Sequence, residues 1–343
     1  MNKFLENDLS LESQWRALIQ FGKNSATYKF AFAKSLLELA TAEKSTFNLK
    51  DLALPFSRNI TEHLLLNDKQ GNASSSTFLN ECRKYNNGEI DQNSLLHFTE
   101  KLGFVNVIDA FQNVNGGVVP DTFYSKHYSE GKKEIILTDN FFKLSESNQF
   151  KNLMNETESR WRLVETAWNL NLNPNMIVSY DDGNNQLFIH DNSMRRIDIT
   201  TARNALNGYQ KGRCFYSFKD LDIAGINNFN CDVDHVLPHK NKQLHLNSLY
   251  PANINGVWNL VLSDQTINRH EKGAKYPSLK YVERLHKRNE YYIESKHPLA
   301  ESIVNQTGFS EVERRNFLNY HWNIAKQNSI HEFLTHELQE NKF

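Results

Sequence analysis

The chain has 343 residues, of which 39% are hydrophobic and 23% charged, with a formal net charge of -1. That is the composition of globular domains and enough chain for two of them, and no apolar run of about eighteen residues is present to span a bilayer. The opening MNKFLENDLSLESQW has no apolar core of the secretory kind, and three cysteines (Cys82, Cys214, Cys231) are too few for a disulfide framework, so a cytoplasmic protein without a membrane partner is expected. Charge is uneven along the chain: residues 201–296 hold 14 Lys and Arg against 9 Asp and Glu, and the remainder 25 against 31. The excess either marks a segment that faces phosphate or is ordinary scatter.

The first half reads as mostly helical. Trp15, Leu18, Ile19 and Phe21, then Tyr28, Phe32, Leu36, Leu37 and Leu39, recur at three- and four-residue steps. Asp51 is a candidate cap for a helix running to Leu64–Leu66, with Pro55 in its first turn. Leu95–Leu102 and Val105–Phe111 suggest two shorter helices, with Asp68–Ser76, Asn86–Gly88 and Asn113–Gly117 as turns between elements. Gln149–Leu172 predicts a longer amphipathic helix with Trp161 and Trp168 packed inward. Near residue 175 the pattern changes. Met176–Tyr180 and Gln186–Ile189 flank Asp181-Asp182-Gly183-Asn184-Asn185, which predicts a hairpin. Asp198 then opens a helix ending at Gly212, and the segment after Pro298 forms two terminal helices with Trp322 and Leu334 inward. The organisation expected is α+β: a helical region over 1–172, a β-hairpin connection over 173–198, a compact domain over 199–297, and a helical tail over 298–343 packing on the rest.

The informative residues lie between Arg213 and Tyr276. In Cys231-Asp232-Val233-Asp234-His235-Val236-Leu237-Pro238 the valines and leucine favour a short strand that Pro238 stops. Asp234 and His235 at its end put a carboxylate beside an imidazole, one suited to a hard cation and the other to a proton. The plain alternative is a surface pair or a packed core histidine. In Asn255-Gly256-Val257-Trp258-Asn259-Leu260-Val261-Leu262 the apolar run predicts a buried strand, and Gln265–Glu271 begins a helix carrying Asn268, nine residues beyond Asn259. Two strands and a helix then bring these residues together.

VDHVLP, NLVL and NRHEKG in that order resemble the motif of HNH endonucleases, and an Asn in the third place resembles the HNH domain of RNA-guided CRISPR nucleases. The resemblance covers about residues 199–290 and implies a ββα-metal nuclease fold. It implies His235 as general base, Asp234 and Asn268 as metal ligands, and Asn259 as the residue that shapes the loop and orients the His-bearing strand. The inserted residue in Asn268-Arg269-His270-Glu271-Lys272-Gly273 leaves His270 as a competing third motif residue; spacing favours Asn268, with His270 then beside the site. One Asp and one Asn oxygen suit Mg²⁺ or Mn²⁺, one ion per site. Of the four thiolates that hold a structural zinc in many such domains only Cys214 remains, so no structural zinc is expected; Phe215, Phe218 and Ile267 would pack there instead. Arg269, Lys272, Lys275 and His239 are candidate phosphate contacts, each equally readable as solvated surface. Tyr281–Tyr292 reads as a helix with Val282 and Leu285 inward and its basic residues outward, and Cys231 as a small core residue. The function implied is hydrolysis of DNA, most simply double-stranded, in restriction or anti-phage defence, with a homodimer or a defence-system protein as possible partner. Cleavage of RNA, or nucleic-acid binding without catalysis on a degenerate HNH fold, are the alternatives.

Overall fold

The computed structural model describes the chain except residues 1–2, 22–24, 42–43, 72, 74, 115–116, 130, 170–177, 191–194, 224–229 and 342. The described residues form a mixed α+β fold, mostly helical, with several small and largely antiparallel sheets. The chain divides into two compact units, Met1–Asn171 and Leu172–Phe343. Among the described residues no helix is long and apolar enough to cross a membrane.

In the first unit α1 (Leu11–Phe21) and α2 (Tyr28–Leu39) precede β1 (Thr46–Asn48), α3 (Leu49–Leu66), α4 (Thr77–Asn86), α5 (Gln92–Phe98) and α6 (Val107–Ala110). The hairpin strands β2 (Asn113–Val114) and β3 (Gly117–Val118) follow, then β4 (Tyr124–Ser129), β5 (Lys132–Leu137), α7 (Asp139–Ser145) and α8 (Phe150–Asn169). Helix α3 begins earlier than the sequence suggests. Asn48 is its cap and accepts from the Asp51 N–H at 2.9 Å, while the Asp51 carboxylate accepts from the Asn48 N–H at 3.2 Å; the helix starts at Leu49, so Pro55 falls inside it. The sheet of β1, β5 and β4 was not expected in a helical region. Only Tyr124 of β4 is buried, so the strand shows none of the alternation that marks a half-buried strand. Trp15 lies fully buried, edge-on to Phe123 at 5.1 Å and Phe111 at 5.5 Å. Trp161 is buried as expected and stacks on His63 at 3.5 Å, whereas Trp168 is only half-buried.

The second unit runs β6 (Ser179–Asp181), β7 (Gln186–His190), β8 (Arg196–Thr201), α9 (Ala202–Gln210), β9 (Cys231–His235), α10 (Lys242–Leu246) and β10 (Leu260–Asp264). It continues with β11 (Tyr276–Pro277), α11 (Leu279–Glu294), α12 (Ala300–Thr307), α13 (Glu311–Gln327) and β12 (Glu332–Phe333). The hairpin of β6 and β7 forms around the Asp181–Asn185 turn, while Met176 and Ile177 of its expected first strand lie outside the described residues. Asp198 does not open a helix: Arg196–Thr201 adds a third strand beside β7, and α9 starts after Thr201. The β-branched run Ile-Asp-Ile-Thr-Thr suits an extended backbone better than a helix. At the C-terminus Phe333 rather than Leu334 is buried, because β12 joins β11 and the strand period turns Leu334 outward.

Strands β9 and β10 pair antiparallel, with His235 opposite Leu260, Asp234 opposite Val261 and Asp232 opposite Ser263. Every residue of both strands is buried. The outer edge of β10 is closed by side and main chain: Gln210 accepts from the Leu262 N–H and donates to its carbonyl at 2.8 and 2.9 Å, and the Phe215 N–H donates to the same carbonyl at 2.9 Å. Helix α11 holds the start of the strand. Arg288 donates to the carbonyls of Leu260, Val257 and Trp258 at 2.8, 3.1 and 2.9 Å. This corrects the expectation that the basic residues of this helix face outward: Val282 and Leu285 are inward as read, but Arg288 is buried with them. Three accepting carbonyls at the end of a short turn create the demand that an inward guanidinium meets. After β10 the chain turns helical at 265 as expected, but the helix is short: residues 265–266 are α-helical and Ile267–Lys272 is π-helical.

Candidate functional site

The end of β9 sets the geometry. Asp232 and Asp234, two residues apart on a strand, share one face, and each is tied to the turn that follows β10. Asp232 accepts from Arg269 Nε and Nη2, both at 2.8 Å, from Asn268 Nδ2 at 3.2 Å and from Gln265 Nε2 at 3.3 Å. Asp234 accepts from the Tyr216 hydroxyl at 2.6 Å through one oxygen and from Lys272 Nζ at 3.1 Å through the other. Lys272 also donates to the His235 carbonyl at 2.7 Å. Burial pushes the Tyr216 phenol well above its ordinary value and the adjacent Asp234 adds to it, so the hydroxyl stays a donor.

Asn259 is fully buried and grips the backbone beyond His235 from both sides. Its Oδ1 accepts from the Leu237 N–H at 2.8 Å, and its Nδ2 donates to the carbonyls of Leu237 and Ile254 at 3.1 and 3.0 Å. The short turn Val257–Asn259 supplies that side chain, and the Asn259 carbonyl accepts from the Val236 N–H at 2.9 Å. His235 Nε2 lies 3.0 Å from Asn255 Oδ1. An amide oxygen only accepts, so Nε2 carries the proton and Nδ1 is left as the basic nitrogen. Burial lowers the imidazole to about 4, with His239 and Lys272 pushing the same way and Asp234 opposing. The ring is therefore neutral at pH 7, and its affinity for a proton is below the near-neutral value its residue type suggests.

The remaining expected residues divide. Asn268 is on the turn but faces Asp232, not Asp234. Arg269 is exposed along one side while bound to Asp232, and Lys275 bonds the Glu271 carbonyl from the same turn. Lys272, expected at the surface as a phosphate contact, is instead buried against Asp234. His239 is half-buried with its ring 5.0 Å from that of His235, and His270 is exposed. Phe215, Phe218, Ile267 and Cys231 are all buried. Sequence reading passed over Asp232, Tyr216 and Asn255. Asp232 had a signal, since Asp-Val-Asp in a strand places two carboxylates on one face; the other two had none, because each is brought in by a separate loop.

The oxygen donors are of the kind a hard cation takes, and in this structure the two carboxylates are engaged by the chain's own groups. Asp234, Asp232 and Asn268 offer oxygens of the type Mg²⁺ and Mn²⁺ take, and a cation of the chain itself, the Lys272 ammonium, already stands at Asp234 Oδ1. Among the described residues no three His, Cys, Asp or Glu side chains converge as a metal cage. A surface cleft of about 250 Å³ opens beside Asn255, lined also by Lys242, Gln243, Leu246 and Ile254. Comparison with known proteins returns no match: no family model fits the chain, and no curated protein or solved structure is significantly similar to it.

Proposed function

We propose that this chain is a metal-dependent HNH endonuclease that hydrolyses the phosphodiester bonds of DNA, acting on double-stranded substrate in restriction or anti-phage defence. The observation that carries the reading is the end of β9, where His235 follows Asp234 in the strand and Asn259 clamps the backbone that comes after them. The mechanism follows from the groups present. His235 removes the proton of the attacking water through Nδ1, with Nε2 held by Asn255. Asp234 and Asn268 would hold Mg²⁺ or Mn²⁺, which when bound supplies charge neutralisation at the phosphate and at the leaving oxygen. Arg269, Lys275 and His239 would contact phosphate oxygens, Arg269 by exchanging Asp232 for the phosphate. Plasmid incubated with the purified chain and Mg²⁺ or Mn²⁺ should be cut, and EDTA should stop it. His235→Ala should lower the rate by about 10²-fold or more; full activity in that variant would refute the assignment.

One observation favours a second reading. Both oxygens of Asp234 are engaged and Asn268 is turned to Asp232, which suits a module that binds nucleic acid without turnover. DNA binding unaffected by EDTA, with no cleavage under any metal, would favour that reading. Matched DNA and RNA duplexes in the same assay identify the sugar, since attack at phosphorus does not use the 2′-hydroxyl.

A further inference from the structure

Asp234 is the carboxylate the proposed chemistry needs open, and the chain keeps it closed. Its side chain is 7% exposed and that of Lys272 is 1% exposed. The ammonium is held at Asp234 Oδ1 and at the His235 carbonyl, and the Tyr216 ring lies 6.0 Å beneath it. Tyr216 fills the other oxygen of the same carboxylate. A buried ammonium needs a compensating anion, and Asp234 is the one acidic side chain paired with Lys272 among the described residues. The next lysine along, Lys275, bonds a carbonyl of its own turn. Lys272 is thus built into the site, not draped over it.

We propose, on the nuclease reading above, that Lys272 is the resident cation of the Asp234 site. In the free protein it holds the carboxylate and competes with a divalent ion for it; when nucleic acid arrives, its ammonium passes to the phosphate at the site and Asp234 is released. The physical argument is like-charge exclusion. An oxygen with an ammonium in contact cannot also take a dication at close range in a water-poor site without strong repulsion. A phosphate offers the ammonium an equivalent charge-assisted partner, so anion binding removes the competitor. By linkage, nucleic acid and metal then bind each other's state of the protein more tightly, and each alone binds weakly.

The test is a Mn²⁺ titration of the full chain without nucleic acid, read by the paramagnetic signal of free Mn²⁺, on wild type, Lys272→Met and Lys272→Gln. The glutamine variant keeps a hydrogen-bond donor for Asp234 and stands in where the methionine variant does not fold. Either folded variant should bind Mn²⁺ about tenfold more tightly than wild type, or better. Adding Asp234→Asn to Lys272→Met should abolish that gain, and plasmid cleavage by both single variants should fall. Equal or weaker Mn²⁺ binding in a folded Lys272 variant overturns the inference; the nuclease reading survives that result when wild type still cuts DNA in a His235-dependent way. A wild-type chain that cuts nothing removes the reading and the inference together.

Discussion

At the residue scale the site is organised by two asparagines with different duties. Asn259 is structural: removing it strands the buried Leu237 N–H and two carbonyls. Asn259→Ala should cost at least about 3 kcal/mol, because three buried polar groups are left unpaired at about 1–3 kcal/mol each, and a urea titration reads the loss. Asn255 positions His235 from a half-buried site and carries little of the fold. Asn255→Ala should leave stability within about 0.5 kcal/mol of wild type. On the nuclease reading it should slow cleavage about tenfold or more by freeing the imidazole to take the wrong tautomer. A variant with unchanged turnover would show that Asn255 does not fix that nitrogen. Asn259 was singled out by the resemblance to the HNH motif, which implies that it shapes the loop. Asn255 was not, since nothing in the chain's local pattern distinguishes an asparagine that meets a histidine twenty residues away.

At the scale of elements, the approach to β10 depends on close packing where a side chain has no room. A Cβ placed on Gly256 would lie 2.1 Å from Gln306 Oε1 on α12 and 2.6 Å from the Trp258 ring. Gly256→Ala should therefore cost about 1–3 kcal/mol, the usual range for forced overpacking. It should also loosen the Val257–Asn259 turn that Arg288 and Asn259 share; a denaturant midpoint unchanged from wild type would contradict this. The same scale explains where the expected elements went astray. Asp51 looked like a cap because it is half of a reciprocal pair whose other half, Asn48, precedes it. The helix carrying Asn268 starts at 265 and ends by Lys272 in π-helical geometry, tied down by Asp232 and Asp234 through Arg269 and Lys272. Side chains three and four apart on that turn thereby reach two carboxylates on neighbouring positions of one strand face.

Across the whole molecule the two units should answer acid differently. In the second, His245 and His321 are buried against each other, their rings tilted by 48° and their Nδ1 atoms 2.9 Å apart. Burial lowers each to about 4, and for His321 the neighbouring His245 adds to it. The unfolded chain takes up protons near pH 6.5 that the folded unit refuses until about pH 4, so stability falls as pH drops through that window, by a few kcal/mol in all. In the first unit burial opposes charge on His63, but Glu158 and Glu165 outweigh it and raise its pKa. That contribution is complete below about pH 6.5 and fades as pH rises through the folded value. Glu158, lowered to about 2 by His63 and Lys34 against its own burial, keeps its charge down to strongly acid conditions. Hydrogen exchange followed at pH 7.5 and pH 5 should show the second unit opening more readily at pH 5 while the first is held or strengthened. A loss of protection of equal size in both units would contradict the assignment.

What the amino-acid sequence determined by itself was local and periodic: the amphipathic helices α1, α2 and α8, the hairpin around Asp181–Asn185, and the two strands that carry Asp234, His235 and the run after Asn259. Those patterns repeat within a few residues, and burial of one face enforces them. Only the tertiary structure decided which charges meet. Lys272 went inward to Asp234, Asn268 to Asp232, Tyr216 to the second oxygen of Asp234 and Arg288 to the carbonyls before β10, because a buried polar group takes whichever partner the packed elements bring within about 3 Å, regardless of its distance along the chain.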